Sequence, residues 1–257
     1  MYIIGDTHGE MSRLAKLMRG IDGEVLCVGD IAIGFTGIGD NPSLSKRFWF
    51  IRGNHDKPEA AKKHPQYAVD YGMWRGMFLI GGARSVDKEL NNRVEYKDWW
   101  RDEELSFMEC QECTELYTVA KPKIVISHDC PFSIQEIMKA AAERKDPLCK
   151  VFGNPHPYNQ TAMMDKLLDI HEPDLWIFGH WHCAISFKIG KTMFRCLDVF
   201  ETMEIDDSLI EPAPEPGRLP ASSLVYGDDA CEECEGGLIK GAPCKGCDGS
   251  GKKSVTD

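Results

Sequence analysis

Short apolar runs alternate with amphipathic stretches along the first 206 residues of this chain. Strands are predicted at residues 2–4, 25–28, 48–51, 77–80, 124–126 and 175–178, and residues 184–189 and 192–197 flank a Gly-Lys pair typical of a hairpin. Helical spacing predicts helices over residues 11–18, ending at Gly20, and near residues 101–112, 133–144 and 161–170. Strands that alternate with helices favour an α/β fold, and continuous apolar strands indicate sheets covered on both faces.

Residues with metal-binding side chains follow five of these predicted strands. They are Asp6 and His8, then Asp30, then Asn54 and His55, then His128, and finally His180 and His182. Ligands of α/β proteins bind beyond the carboxyl ends of the strands, so we expect these side chains to meet at one edge. His180 and His182 are expected to reach different ions if their loop is extended, because alternate residues of an extended chain point the same way.

The chemistry of this set is carboxylate, imidazole and amide, with no thiolate. Such donors suit two borderline-hard divalent cations better than a structural zinc. Asp30 can bridge two ions with its two oxygens, and Asn54 offers a neutral carbonyl oxygen. Two adjacent cations of this kind are suited to the hydrolysis of phosphate esters.

Over about residues 1–200, the five blocks in this order resemble the calcineurin-like metallophosphoesterases. The resemblance implies a four-layer α/β/β/α sandwich with two mixed sheets. It implies one metal held by Asp6, His8, Asp30 and His182, and a second held by Asp30, Asn54, His128 and His180. Two divalent ions are therefore the expected cofactors, and Mn²⁺, Fe and Zn²⁺ all tolerate these donors.

The activity implied is that of a dinuclear metal-dependent phosphoesterase, in which a metal-bridging hydroxide attacks phosphorus in line. Asp30 and His55 would be the catalytic residues, and His55 matches the general-acid position of the family. Asp56 or Asp129 would orient an imidazole. The expected substrate is a phosphorylated protein or small molecule. The alternatives are a phosphodiesterase acting on nucleotides or nucleic acid, and a catalytically idle scaffold.

The chain departs from the serine/threonine protein phosphatases of this superfamily, which carry an Asp-Arg pair shortly after the bridging aspartate. Residues 31–34 here are Ile-Ala-Ile-Gly. Arg52 and Arg84 are the candidate replacements for binding the substrate phosphate, since a guanidinium forks onto phosphate oxygens. Structural ion pairing of these two arginines is equally expected.

The C-terminal part has a different composition. Residues 207–226 are acidic and rich in proline, which predicts an extended linker. Residues 227–252 contain two Cys-X-X-Cys pairs, formed by Cys231, Cys234, Cys244 and Cys247. This spacing predicts one structural Zn²⁺, and the second pair resembles the cysteine-rich unit of J-protein chaperones. The expected role is contact with a protein partner, and a metal-free disordered tail is the alternative.

Composition and charge limit the protein class, the partners and the cellular compartment that we expect. Apolar residues make up 42% and charged residues 28% of the 257-residue chain, which is ordinary for a globular protein. The net charge of −11 argues against nucleic acid as a partner, because an acidic chain gains nothing from counterion release. With neither a signal peptide nor an apolar run long enough for a membrane span, we expect a cytoplasmic protein whose 11 cysteines are reduced.

Overall fold

The computed structural model describes residues 1–35, 37–85, 93–143, 158–209, 238–239 and 242–243. The chain divides into two compact units, Met1–Ala213 and Pro214–Asp257. In chain order, the elements of the first unit are β1 (Tyr2–Ile4), α1 (Met11–Gly20), β2 (Val25–Cys27), β3 (Phe48–Phe50), α2 (Pro58–Lys63), β4 (Tyr71–Trp74), β5 (Met77–Ile80), α3 (Phe107–Ala120), β6 (Ile124–Ser127), α4 (Phe132–Glu143), α5 (Asn159–Ile170), β7 (Leu175–Phe178), β8 (Ile185–Ile189), β9 (Thr192–Cys196) and β10 (Thr202–Glu204).

The described strands of this unit form two sheets. The first has the order β10-β1-β2-β3, with β1, β2 and β3 parallel and β10 antiparallel to β1. The second has the order β4-β5-β6-β7-β9-β8, in which β5, β6, β7 and β9 run parallel and the two edge strands run antiparallel to their neighbours. Because most strands are parallel, their carboxyl ends lie along common edges.

The core lies in three layers that follow the two-residue period of the strands. Ile3 and Leu26 of the first sheet share one buried cluster with Leu79, Ile126 and Ile177 of the second sheet. Residues of opposite orientation pack under helices, as Phe48 and Phe50 do with residues of α1 and α2. On the far side, Phe78, Val125 and Trp176 pack with residues of α3, α4 and α5. The predicted four-layer α/β/β/α sandwich is confirmed.

The predicted elements are present, with one displaced helix. The helix predicted at residues 101–112 begins only at Phe107, because Ser106 and Glu109 form a reciprocal capping box that fixes its start. A 3-10 helix at Asp207–Leu209 lies where the extended linker was predicted to begin. Three further elements lacked a sequence prediction: α2, β4 and β10. The first is six residues long, β4 contains Gly72, and β10 is a three-residue edge strand in an acidic stretch, so none carries a clear period.

The second unit contains a short hairpin in its described residues, β11 (Leu238–Ile239) paired antiparallel with β12 (Ala242–Pro243). This hairpin lies between the two Cys-X-X-Cys pairs in the sequence. The four cysteines themselves, Cys231, Cys234, Cys244 and Cys247, are outside the described residues, as is nearly all of the predicted linker. None of the helices in the described part of the chain has the length and apolar character needed to cross a bilayer.

Candidate metal centre

The candidate site lies in the loops that leave the carboxyl ends of five parallel strands from both sheets. The loop after β1 carries Asp6 and His8, the loop after β2 carries Asp30, and the loop after β3 carries Asn54 and His55. His128 follows β6, and His180 and His182 follow β7. Three groups of donors, Asp6/His8/His182, His8/Asp30/His55 and Asp6/Asp30/His128, have ligand atoms within 4.8 Å of one another.

One cluster is formed by Asp6, His8 and His182. The Nε2 atoms of His8 and His182 are 2.9 Å apart. Asp6 Oδ2 lies 3.0 Å from His182 Nε2 and 3.8 Å from His8 Nε2. Asp6 is fully buried, whereas the side chains of His8 and His182 are 27% and 20% exposed. This cluster is therefore open to solvent on its imidazole side.

A second cluster is formed by Asp30, Asn54 and His128, all of which are buried. His128 Nε2 lies 3.1 Å from Asn54 Oδ1 and 3.4 Å from Asp30 Oδ1. The other ring nitrogen of His128, Nδ1, lies 2.9 Å from the carbonyl oxygen of Val28 and therefore donates to it. That bond leaves Nε2 unprotonated in the neutral ring, so its lone pair faces the cluster.

Asp30 connects the two clusters. Its Oδ2 lies 3.9 Å from His8 Nδ1, while its Oδ1 faces His128. Asp30 Oδ1 also accepts a 2.7 Å hydrogen bond from the backbone N–H of His55. The two carboxylate oxygens thus point toward different donor groups, which is the arrangement a bridging ligand requires.

The donor spacing fits a pair of divalent cations. Ligands bonded to one ion at about 2.0–2.2 Å lie roughly 3–3.5 Å from each other. The contacts among His8, His182 and Asp6, and those among His128, Asn54 and Asp30, fall between 2.9 and 3.8 Å. Carboxylates and imidazoles crowded this closely in a buried place are costly without a cation to share them.

His180 is placed beside the second cluster. Its ring centroid is 5.1 Å from that of His128. Its backbone N–H lies 3.1 Å from Asp6 Oδ2 and donates to it. The sequence argument for His180 and His182 required an extended loop. The loop is not extended, because both residues adopt left-handed conformations with φ of 62° and 47°. The backbone N–H of Trp181 also donates to the carbonyl of Gly179 at 2.6 Å, as expected of a tight turn.

Backbone strain and close packing concentrate in these loops. His8 and Asp30 also have positive φ angles, 44° and 55°, which non-glycine residues adopt at a cost of about 1–3 kcal/mol each. Two glycines make room for the ligands. A Cβ on Gly53 would lie 2.1 Å from Asp30 Oδ1, and one on Gly179 would lie 2.2 Å from Asp6 Oδ1. Strain that is held in place by surrounding structure is typical of functional sites.

The electrostatics are those of carboxylates surrounded by imidazoles. Burial acts to raise the pKa of Asp6, but the neighbouring His128 and the hydrogen bond with His182 outweigh it and lower that pKa. Burial likewise opposes ionisation of Asp30, and His128, His55 and His8 nonetheless lower its pKa strongly. Burial lowers the pKa of His180, since loss of water penalises the imidazolium. The carboxylates of the site are therefore ionised near neutral pH.

The described hydrogen bonds to Asp56 and Asp129 come from groups other than imidazoles, although burial lowers the pKa of His180 against the opposing charge of Asp129. Asp56 accepts hydrogen bonds from the backbone N–H groups of Ile33 and Gly53. Asp129 accepts from Trp181, Gln135, Tyr158 and its neighbour Cys130. These donors fix the loops around the site. The acceptor that orients a ligand ring is instead the carbonyl of Val28, which sequence reasoning could not single out because backbone atoms carry no residue pattern.

The two arginines predicted to bind phosphate are placed differently from that expectation. Arg52 is buried, donates from Nε to Asp70 Oδ1 at 2.5 Å, and donates from Nη1 to the carbonyl of Glu103. This environment is the structural ion pair given as the alternative. The side chain of Arg84 is 35% exposed, and its Nε lies 3.9 Å from Glu104. Neither residue has a described contact with the donor clusters.

Arg93 is the arginine that contacts the site. Its Nη2 donates to His55 Nε2 at 2.7 Å, and its Nη1 lies 3.4 Å from Ser85 Oγ. The ring of His55 is also stacked on Phe35, with centroids 5.7 Å apart, and lies edge-on to His8 at 5.2 Å. Sequence reasoning missed Arg93 because no motif surrounds it and its approach to His55 is purely tertiary.

A second feature that the sequence did not indicate is a hydrogen-bonded chain from Asn54 through Ser85 to Glu103. Ser85 Oγ accepts from Asn54 Nδ2 at 3.2 Å and donates to Glu103 Oε2 at 2.7 Å. Glu103 Oε1 also accepts from the backbone N–H of Ser85. Because the amide nitrogen is held by Ser85, the carbonyl oxygen of Asn54 faces His128. Burial raises the pKa of Glu103 to about 7.

Two helix-covered sheets with clustered carboxylates and imidazoles at the strand ends define an α/β protein with a candidate metal centre. The model of the calcineurin-like phosphoesterases matches residues 1–184, and the chain belongs to this family. It is accordingly a metal-dependent phosphoric ester hydrolase, and the family implies a dinuclear divalent metal site.

Two further comparisons add little to this assignment. The crystal structure of a phosphopantetheinyl hydrolase from Mycobacterium tuberculosis is similar with a TM-score of 0.38 and 11% identity, covering 77% of this chain and 89% of that protein. So low a likeness does not transfer an activity. No curated protein matches the chain significantly.

Proposed function

We propose that this protein hydrolyses phosphomonoesters with a dinuclear metal centre. The observation that carries the proposal is that two donor clusters share Asp30, whose oxygens face His8 on one side and His128 on the other. A phosphate group that spans two cations is held and activated at the same time, which a single ion does less well.

The ligand assignment follows the two clusters. Asp6, His8, Asp30 and His182 would hold one cation, and Asp30, Asn54, His128 and His180 would hold the other. When bound, the cations would supply a water of lowered pKa and offset negative charge on the phosphate. Mn²⁺, Fe and Zn²⁺ all suit this mixture of imidazole and oxygen donors.

The remaining chemistry belongs to the side chains. His55 lies at the solvent side of the site, and its backbone N–H is fixed by Asp30. With Nε2 accepting from Arg93, the hydrogen of the neutral ring is on Nδ1. We assign to His55 the donation of a proton to the leaving oxygen. The donor is the imidazolium, so Nε2 would first take up a proton from solvent in place of the hydrogen bond from Arg93. Asn54 is kept in its ligating orientation by Ser85.

A phosphomonoester is favoured over nucleic acid. The net charge of −11 gives the chain no general attraction for a polyanion. A phosphorylated protein and a phosphorylated small molecule both remain compatible with a site that opens on its His8 and His182 side. A cytoplasmic setting is part of the proposal. The thiols of Cys27 and Cys130 are free and buried, but Cys183 is disulfide-bonded, contrary to the expectation that all 11 cysteines are reduced.

The test is a comparison of two model substrates with Mn²⁺-loaded protein. We expect p-nitrophenyl phosphate to be hydrolysed with a higher kcat/KM than bis-p-nitrophenyl phosphate. A strong preference for the diester would replace the monoesterase proposal by the phosphodiesterase alternative. Absence of hydrolysis with Mn²⁺, Fe²⁺ and Zn²⁺ would leave the catalytically idle scaffold.

We further propose that Cys231, Cys234, Cys244 and Cys247 bind one structural Zn²⁺, with residues 207–226 as a linker to that segment. The role proposed for the segment is contact with a protein partner. Zinc analysis of the full chain and of a variant with Cys231→Ser and Cys244→Ser should differ by one equivalent. Equal zinc contents would reject the assignment. Hydrolysis by the two proteins should be the same if the segment is separate from the catalytic unit.

A further inference from the structure

A positively charged side chain lies beside the donor clusters and belongs to neither. We propose that Arg93 binds the phosphate group of the substrate, an inference that rests on the phosphoesterase function proposed above. The guanidinium of Arg93 donates to His55 Nε2 at 2.7 Å. His55 directly follows the candidate ligand Asn54 in the chain, and its ring contacts that of His8. A phosphate held at the two clusters would therefore lie next to this guanidinium.

The comparison with the other two arginines supports this choice. The guanidinium of Arg52 is buried and donates to Asp70 and to backbone carbonyls, so turning it outward would remove a charged partner from a carboxylate that is only 15% exposed. Arg84 has Glu104 as its described charged neighbour and makes no described contact with a site histidine. Arg93 is half-buried and contacts His55, a histidine of the candidate site.

The contacts of Arg93 orient its fork toward the site. Nη1 lies 3.4 Å from both Ser85 Oγ and the carbonyl oxygen of Asp98, and Nη2 approaches His55. These three contacts hold the guanidinium beside His55 and Ser85. Ser85 is also the residue that holds Asn54, so the same hydroxyl sets the position of a metal ligand and of the arginine.

Substrate binding would also change the environment of His55. A phosphate oxygen is a better acceptor for a guanidinium N–H than a neutral ring nitrogen, because a hydrogen bond between two charged groups is stronger. Transfer of the Arg93 Nη2 bond from His55 Nε2 to phosphate would leave that ring nitrogen accessible. The arginine would then couple occupation of the phosphate site to release of the imidazole proposed as proton donor.

Binding of inorganic phosphate provides a test that does not depend on turnover. The Mn²⁺-loaded full chain, Arg93→Ala, Arg93→Lys and the control Arg101→Ala would be titrated with phosphate by calorimetry. Arg101 has a guanidinium in the same chain region, with a side chain 80% exposed and paired with Glu95. We expect Arg93→Ala to weaken phosphate binding roughly 10–100-fold, Arg93→Lys to weaken it less, and Arg101→Ala to match the unmodified protein.

Kinetics with p-nitrophenyl phosphate separate the possible roles. Loss of phosphate binding should appear as an increase in KM and in the inhibition constant of phosphate for Arg93→Ala. A fall in kcat alone, with unchanged phosphate affinity, would overturn the proposal and make Arg93 a positioning residue for His55. Thermal unfolding of Arg93→Ala and Arg93→Lys would show whether each variant is folded, and the lysine variant keeps the test valid if the alanine variant is not.

Failure of this inference and failure of the proposed function give different results. Unmodified protein that hydrolyses the ester, with an Arg93→Ala variant that binds phosphate equally well, would overturn the inference alone. Unmodified protein that binds phosphate but hydrolyses nothing, with weakened binding in Arg93→Ala, would overturn the function and support the inference. Unmodified protein that fails to bind phosphate would overturn the inference.

Discussion

The floor and the rim of the candidate site differ in how far water reaches them. The floor consists of Asp6, Asp30, Asn54 and His128, all with 2% or less of their surface exposed. The rim consists of His8, His55, His182 and Arg93, all half-buried. Floor residues are held by several hydrogen bonds from both sheets, whereas rim residues contact each other across an open face.

This difference separates two kinds of contribution. A floor residue holds the two sheets in register and supplies a ligand, as His128 of the second sheet does when it donates to the carbonyl of Val28 in the first. A rim residue supplies chemistry with little effect on packing. Substitutions in the floor should therefore reduce both activity and stability, and substitutions in the rim should reduce activity alone.

The largest effect is expected at the shared ligand. Asp30→Asn removes the charge that faces both clusters, and we expect kcat/KM for p-nitrophenyl phosphate to fall roughly 10³-fold or more. The control is Asp40→Asn, the same chemical change at an exposed carboxylate paired with Lys57. An Asp30→Asn variant that retained its activity and both metal equivalents would contradict the central role of this residue.

The second prediction concerns the ion pair between Arg52 and Asp70. Arg52→Ala leaves Asp70, whose side chain is 15% exposed, with Lys62 and Tyr67 as its side-chain partners among the described residues, and we expect a loss of about 3 kcal/mol in the free energy of unfolding. Denaturant unfolding of Arg52→Ala and the exposed control Arg101→Ala measures this loss. The KM of the folded fraction should stay unchanged. An increased KM with unchanged stability would instead support the earlier hypothesis that Arg52 binds the substrate phosphate.

The third prediction compares one histidine from each region in metal-free protein. His128→Ala leaves a cavity and an unpaired Val28 carbonyl, so the free energy of unfolding should fall by about 2 kcal/mol. His182→Ala, at a partly exposed position, should cost less than about 1 kcal/mol. Chemical denaturation followed by tryptophan fluorescence gives both values. Equal losses would remove the distinction between floor and rim.

The smallest expected effect depends on pH. Burial raises the pKa of Glu103 from an ordinary value of 4.5 to about 7. Between these two pH values the folded protein holds a proton that the unfolded chain releases. This group therefore makes the free energy of unfolding decrease as pH rises from about 4.5 through about 7, and the decrease levels off above that.

Glu103→Gln removes this proton equilibrium and keeps an acceptor for the backbone N–H of Ser85, while its amide nitrogen replaces the oxygen that accepts from Ser85 Oγ. Relative to the unmodified protein, we expect the variant to gain about 1–2 kcal/mol of stability at pH 8 compared with pH 5. Urea unfolding of both metal-free proteins at the two pH values measures the difference. A difference that does not vary with pH would place the titration of Glu103 outside this range.

The sequence predicted most of the strands and the position of the candidate ligands directly after them, because both leave local patterns. Apolar runs such as residues 124–126 and 175–178 mark buried strands, and each ligand block follows such a run directly. The roles of the arginines were not predictable, because the burial of Arg52 and the approach of Arg93 to His55 depend on residues 18 and 38 positions away. The left-handed backbone at His180 was hidden for the same reason.

The absence of a side chain at Gly53 and Gly179 has a consequence for variant libraries. Even a methyl group there would overlap the carboxylate oxygens of Asp30 and Asp6. In a saturation screen for activity, these two positions should tolerate substitution as poorly as the acids they adjoin, although glycine can perform no chemistry. A map of intolerance would thus overcount the reactive groups, and designers grafting this centre onto another scaffold would have to copy the empty volumes together with the donors.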